Sequence, residues 1–323
     1  MEKKSLYSLV LKIFIKKPEF GAFTGLFLTI AFFSLSSNKF FTISSITAMF
    51  TLAAEVGIVA LGMSFLMISG EFDLSVGSIF ALSTLIFVRL ANFGISPLIA
   101  FLLTLVICTF LGVLNGIITV KLHIPSFITT LGTMMLWRGI VLYITGGFTV
   151  SYKADKDFLF LLGGRIFAGL RMTGLWFLLL TFVLSVVLTK TQYGNWVFAV
   201  GGNLNAARAS GVNVEKVKIM NFALCSLFAS ISGTCNLARY VISQPMLGEG
   251  IELEGIAASV IGGNLLTGGF GSIFGTFLGA LLMGIIRTGL ISIGVAPYLY
   301  KALTGIVLIV AVVINIMVGK RTK

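Results

Sequence analysis

Five ionisable residues stand inside otherwise apolar runs of this chain: Glu55, Arg138, Glu252, Glu254 and Arg287. Burying a charge in hydrocarbon costs about 2.5 kcal/mol or more, so each must be paired, solvated or put to use. Arg138 follows Trp137, and either Glu55 or exposed backbone carbonyls would satisfy it. The chemistry open to such a set is the handling of a polar solute. Bond-breaking chemistry has nothing to run it: the chain lacks a G-x-x-x-x-G-K-[ST] phosphate loop, an H-E-x-x-H pair, and a G-x-S-x-G followed by an acid and a histidine. The single histidine, His123, has no partner set, and Cys108, Cys225 and Cys235 lie in apolar runs without metal-ligand spacing. No metal or cofactor site is therefore expected on this chain, which carries no motif for using ATP itself.

The elements that must hold these residues are set by composition. Of 323 residues 57% are hydrophobic and 11% charged, which suits a bilayer and leaves no polar stretch long enough for a soluble domain. The net charge of +12 is explained by a positive-inside bias and anionic lipid, not by nucleic acid. Windows of about 19 residues place spans at 20–36, 43–68, 74–91, 97–120, 126–145, 172–189, 218–240, 253–264, 272–293 and 302–318. The expectation is an all-α polytopic membrane protein with about ten transmembrane helices. Its eighth span is only about a dozen apolar residues, short for a hydrocarbon core of about 30 Å, and reads as a half-helix or a protein-buried segment.

Residues 1–19 read as an amphipathic N-terminal segment on the cytoplasmic side, since Lys12 interrupts the apolar run, Lys16 and Lys17 end it, and no cleavage site follows. Residues 20–318 form one transmembrane domain, and 319–323 a basic cytoplasmic tail. An even span count puts both termini on the same side, where Lys and Arg are in excess. Within the domain, 190–217 is a polar insert between two spans and so lies in water. Its stretch 206–210 is helix-prone, with Asn203 or Asn205 available as a cap. A helix there, kept in rigid contact by small residues such as Ala206 and Ala207, is a docking surface for a soluble partner.

Between spans two and three stands Gly70-Glu71-Phe72-Asp73-Leu74-Ser75-Val76-Gly77-Ser78. Asp73 is placed to cap the third span through the amide of Ser75 or Val76, at the cytoplasmic mouth of a path. In the ninth span and its entry, Gly268, Gly269, Gly271, Gly275, Gly279 and Gly284 give the small-xxx-small spacing that lets helix backbones approach closely.

That DLSVGS turn resembles the GGxDLSVGS turn in permease subunits of sugar-importing ABC transporters, the ribose, xylose, galactose and autoinducer-2 group. Three further stretches agree in order: PSFITTLGTMMLWRG at 125–139, GGNLNAARASGVNV at 201–214, and ELEGIAASVIGGNLLTGGFGSIFGTFLG at 252–279. The resemblance covers about residue 45 to the end. It implies a type II-importer-like permease in a bacterial inner membrane, paired with a second permease copy as a homodimer or with a related subunit. ABC ATPase subunits would dock below, and a periplasmic or lipid-anchored sugar-binding protein would deliver solute from above. By position, Gly202, Asn203, Ala207, Arg208, Ser210 and Gly211, with Ala206, form the ATPase-coupling loop. Three residues depart from the pattern: Glu71 replaces the commoner glycine, Glu254 an aspartate, and Phe270 a frequent basic residue.

A path for an uncharged sugar is expected to be lined by small and neutral polar groups. Ser64, Ser69, Asn115, Thr129, Thr130, Thr133, Ser259 and Asn264 are the candidates, with Asp73, Ser75 and Arg138 at gates. Hydroxyl groups bonding back onto their own helix are the expected fate of most. Two other readings stay open: an ion-coupled secondary transporter, and an ABC permease for a non-sugar solute such as a branched-chain amino acid or a nucleoside. Against the first stands the absence of histidine and aspartate from the span centres. A channel or scaffold leaves the polar insert unexplained.

Overall fold

The computed structural model describes residues 19–296 and 298–322. The leading amphipathic segment, apart from Glu19, lies outside the described residues. Thirteen helices follow in order: α1 (Glu19–Ser36), α2 (Ile43–Ile68), α3 (Val76–Asn92), α4 (Pro97–Lys121), α5 (Ser126–Thr145), α6 (Asp157–Gly163), α7 (Met172–Lys190), α8 (Gln192–Gly202), α9 (Leu204–Ala209), α10 (Val214–Tyr240), α11 (Ile251–Ile261), α12 (Ile273–Ser292) and α13 (Leu299–Thr322). Two two-residue strands, β1 (Val150–Ser151) and β2 (Ile242–Ser243), pair antiparallel and tie the loop after α5 to the chain after α10. The fold is all-α and multi-pass, as expected.

Seven helices, α1, α2, α4, α5, α7, α10 and α12, are long and apolar enough to cross a bilayer. α3 has 17 residues and α13 has 24. α11 is the exception: its 11 residues rise only about 16 Å, half of a hydrocarbon core. The half-helix reading of the eighth span describes it. Residues 319–322 continue α13 as helix.

α2 is the axis of the fold. Every residue from Ala53 to Ile68 is buried, because α7, α10, α11 and α12 pack around it. A helix enclosed on all sides needs no polar face, which is why its sequence shows no amphipathic stripe. Thr42 caps its start by accepting from the Ser45 amide at 3.3 Å. The α12 glycines face different neighbours: Gly275 and Gly279 lie on α11 backbone at Gly262 and Ala258, and Gly284 on α2. A methyl group at Gly284 would come within 2.5 Å of the Met49 carbonyl and 2.8 Å of Ala53.

The helices define two faces. The near face holds α8, α9 and the last turn of α2, where the Gly269 amide donates to Ile68 O at 2.8 Å. α10 begins there and, with 27 residues and about 40 Å of rise, ends at the far face beside β2 and α6.

Candidate functional site

On the near face the polar insert folds as two helices, of which α8 has no distinct signal in the sequence. Gly201 at its end lies so close to the Ile68 carbonyl and the Gly269 amide that a side chain would not fit. Asn203, in extended conformation, then caps α9, its Oδ1 accepting from the amides of Asn205 at 3.1 Å and Ala206 at 3.0 Å. Gly211, at φ +82°, ends that helix, and the Val212 amide bonds back to Ala207 O at 3.0 Å. Ala207 is buried and anchors α9, whereas Gly202, Asn203, Ala206, Arg208, Ser210 and Gly211 are exposed. The result is a rigid knob with an outward arginine.

Two ion pairs brace its base. Lys121 at the end of α4 meets Glu215 in the first turn of α10. Lys218, one turn further along α10, reaches Glu71 with both side chains largely buried, 13% and 15% exposed. Glu71 belongs to the turn leading to α3. There Asp73 is fully buried, and its Oδ1 accepts from the Ser75 amide at 2.8 Å and the Ser75 hydroxyl at 2.6 Å. Asn115 on α4 closes the cluster by donating to Ser75 Oγ at 2.8 Å. Asp73, Ser75 and Asn115 thus form one enclosed unit set inside the protein, not at an open mouth.

Ser259 and Asn264 belong to a second enclosed unit. Asn264 Nδ2 donates to Ser64 Oγ at 2.8 Å and Thr276 Oγ1 at 3.0 Å, its Oδ1 accepts from the Ser272 amide at 2.8 Å, and its carbonyl accepts from Asn315 at 2.8 Å. Ser64, Ser259, Asn264 and Thr276 are all fully buried, joining α2, α11 and α12. Thr130 and Thr133 bond back onto α5. Arg138 does not meet Glu55. Its Nη1 donates to Pro245 O and Leu247 O, and its Nη2 to Gly77 O at 3.0 Å. The physical reason lies in the run of turns before α11, whose carbonyls have no helical partner and take the planar guanidinium fork instead.

Glu55 pairs with Arg239 of α10, Oε1 to Nη1 at 3.0 Å, halfway along α2. Glu55 also lines a cavity of about 570 Å³, bounded by α2, α10, α11, α12, α13 and the 242–251 segment. Glu55, Glu254, Arg287, Tyr300, Asn236 and Gln244 line it. Arg287 stacks over the Tyr300 ring at 5.0 Å, and Glu254 lies against both. Its walls are charged and aromatic, where the sequence led to an expectation of neutral ones, and none of the eleven path or gate candidates lines it. The intramembrane residues Glu55, Glu254 and Arg287 do. Tyr300, which lies between the predicted spans, completes it, and Arg239 reaches it only through its pair with Glu55.

Three comparisons bear on this arrangement. The family "Branched-chain amino acid transport system / permease component" matches residues 45–312. The chain is 34% identical over 295 residues to the ribose import permease of Bacillus subtilis (strain 168), covering 91% of this chain and 92% of that one. It is 34% identical over 318 residues to a probable ABC transporter permease of Escherichia coli (strain K12), covering 98% and 95%. It is 33% identical over 309 residues to the xylose/arabinose import permease of Sulfolobus acidocaldarius, covering 93% and 85%. No solved structure matches. With a family match over most of its length, relatives aligned nearly end to end, and helices suited to a bilayer, the chain belongs to this family of membrane transport permeases.

Proposed function

We propose that this chain is the membrane-spanning subunit of a bacterial ABC importer that passes a small neutral sugar, a pentose such as ribose first among the candidates. The observation that carries the reading is the pairing of two features on opposite faces: an exposed, capped helix at α9 and a polar cavity open toward the other side. Relatives named for ribose and xylose/arabinose import support the solute class. A cavity of about 570 Å³ falls within the roughly 300–1,000 Å³ usual for small-molecule pockets. Its carboxylates and amides are acceptors and donors for hydroxyl groups, and Tyr300 offers a ring face.

In this reading the near face is cytoplasmic, as are both termini, in the inner membrane. ABC ATPase subunits bind there and hold the ATP and Mg²⁺, while this chain binds neither. A sugar-binding protein, periplasmic or lipid-anchored, docks on the far face, and a second permease copy completes the path. Closure of the ATPases pushes α9. That shift reaches the α3 turn through Lys218 and Glu71, and α2 through Gly201 and Ile68.

The test is purification of the tagged chain from its own cells in mild detergent, followed by reconstitution of the captured assembly in vesicles. Co-purification of an ATPase and a sugar-binding protein, with pentose uptake that requires ATP, is the expected result. Uptake that ignores ATP and collapses with an ion gradient would overturn the reading in favour of a secondary carrier.

A further inference from the structure

A second polar cavity, about 390 Å³, lies on the far face against the first turns of α2. Three arginines line it: Arg165 and Arg171, whose backbones pair in an antiparallel bridge before α7, and Arg239 at the end of α10. α7 and α10 both run from there to the near-face insert, which fixes the pocket at the other membrane surface. Their charges are poorly matched. Arg239 has Glu55, Arg171 donates to Gly163 O at 2.8 Å, and Arg165 has no side-chain partner among the described residues. One carboxylate against three guanidiniums leaves an excess of two positive charges around a space that Ser44 and Thr47 also line with hydroxyls.

Arginine forks and hydroxyls together suit an oxyanion, and phosphate above all. The rim says where the rest of the ligand goes. Phe167, Ile43 and Phe41 are 87%, 66% and 62% exposed beside the pocket, an apolar border that belongs in acyl chain and interfacial surroundings. A free anion has no use for such a border, and a protein carboxylate would leave it uncovered.

We infer that the Arg165–Arg171–Arg239 pocket binds the phosphate of an anionic phospholipid from the extracytoplasmic leaflet. The lipid tails lie along Phe41, Ile43 and Phe167. A phosphate seated there shares Arg239 with Glu55, which lines the central cavity, and thereby loosens their ion pair.

The experiment is native mass spectrometry of the full-length permease from mixed micelles of phosphatidylglycerol and phosphatidylcholine. The wild type is expected to retain phosphatidylglycerol preferentially. The double variant Arg165→Gln/Arg171→Gln should bind it about thirtyfold more weakly, taking about fivefold for each basic contact at a membrane surface. Because Arg165 is exposed and unpaired, the single variant Arg165→Gln keeps the fold and should show about fivefold on its own. Equal retention of the two lipids by the wild type, or retention unchanged in both variants, overturns the proposal. Displacement of the lipid by millimolar inorganic phosphate makes the pocket a small-anion site and overturns it too. Equal lipid retention with loss of substrate-binding-protein attachment in the double variant assigns the pocket to a protein carboxylate, again against it. None of these readouts depends on which solute is transported.

Discussion

Lys218 Nζ meets Glu71 Oε1 across 147 residues of sequence, joining the helix that follows α9 to the turn that precedes α3. Glu71 stands where a glycine is commoner in the resembling permeases, and a glycine there could not make this ion pair. Removing either charge strands the other in a partly buried position. Glu71→Gln and Lys218→Met are each expected to lower uptake severalfold while ATP hydrolysis continues. The exchange Glu71→Lys/Lys218→Glu should recover most of it. Uptake and hydrolysis measured in the same vesicles decide the matter, and full activity in both single variants would remove the pair from the coupling route.

Arg208 points outward from α9 with its helix capped on both sides and anchored by Ala207. Reversing its charge leaves that local structure intact. Arg208→Glu should abolish uptake without changing the amount of permease in the membrane. Immunoblotting of membranes alongside sugar uptake gives the answer; normal uptake with normal ATPase association would rule out the docking role.

Glu254 and Arg287 line the central cavity together beside Tyr300. A hydrogen bond to a charged group contributes about 1.5–3 kcal/mol, so losing one such contact with solute should slow passage about tenfold or more. Glu254→Gln and Arg287→Gln are predicted to do so with the binding protein's affinity for sugar unaltered. Single-turnover uptake separates this from a docking defect, and unchanged rates in both would move the path elsewhere.

Asn264 holds three side-chain hydrogen bonds in the buried unit with Ser64, Thr276 and Ser272. At roughly 0.6 kcal/mol for each such bond in a membrane protein, Asn264→Leu should cost about 2 kcal/mol. The expected sign is a thermal midpoint several degrees lower in detergent. Differential scanning fluorimetry reports it, and an unchanged midpoint would show that the unit contributes nothing to stability.

The sequence reveals what contrast in polarity can reveal. The near-face insert stands out because water-loving residues interrupt two apolar runs, and Asn203 declares a cap by its type. The long helices follow from length and hydropathy, and the short eighth span from the lack of both. What stays hidden is set by partners far away in the chain. Glu55 and Arg239 are 184 residues apart, and nothing local to either marks the other. For Arg138 the sequence leaves Glu55 and exposed carbonyls both open; carbonyls take it, and only which ones stays hidden, since they lie on an irregular segment that no periodicity singles out. Most of the neutral hydroxyls favoured as path lining, Thr129 excepted, end in hydrogen bonds to one another or to their own helix, as such groups do in a dry interior.

The length of α11 also sets an order of events at the ribosome. Eleven residues are too few to partition into lipid as an independent segment when they emerge from the insertion machinery. They must wait until α12 follows and supplies the glycine face against which Gly262 and Ala258 close. The wall of the central cavity is therefore one of the last parts of the protein to be built, completed only when α2, made some 200 residues earlier, receives Ser259 and Asn264 from it.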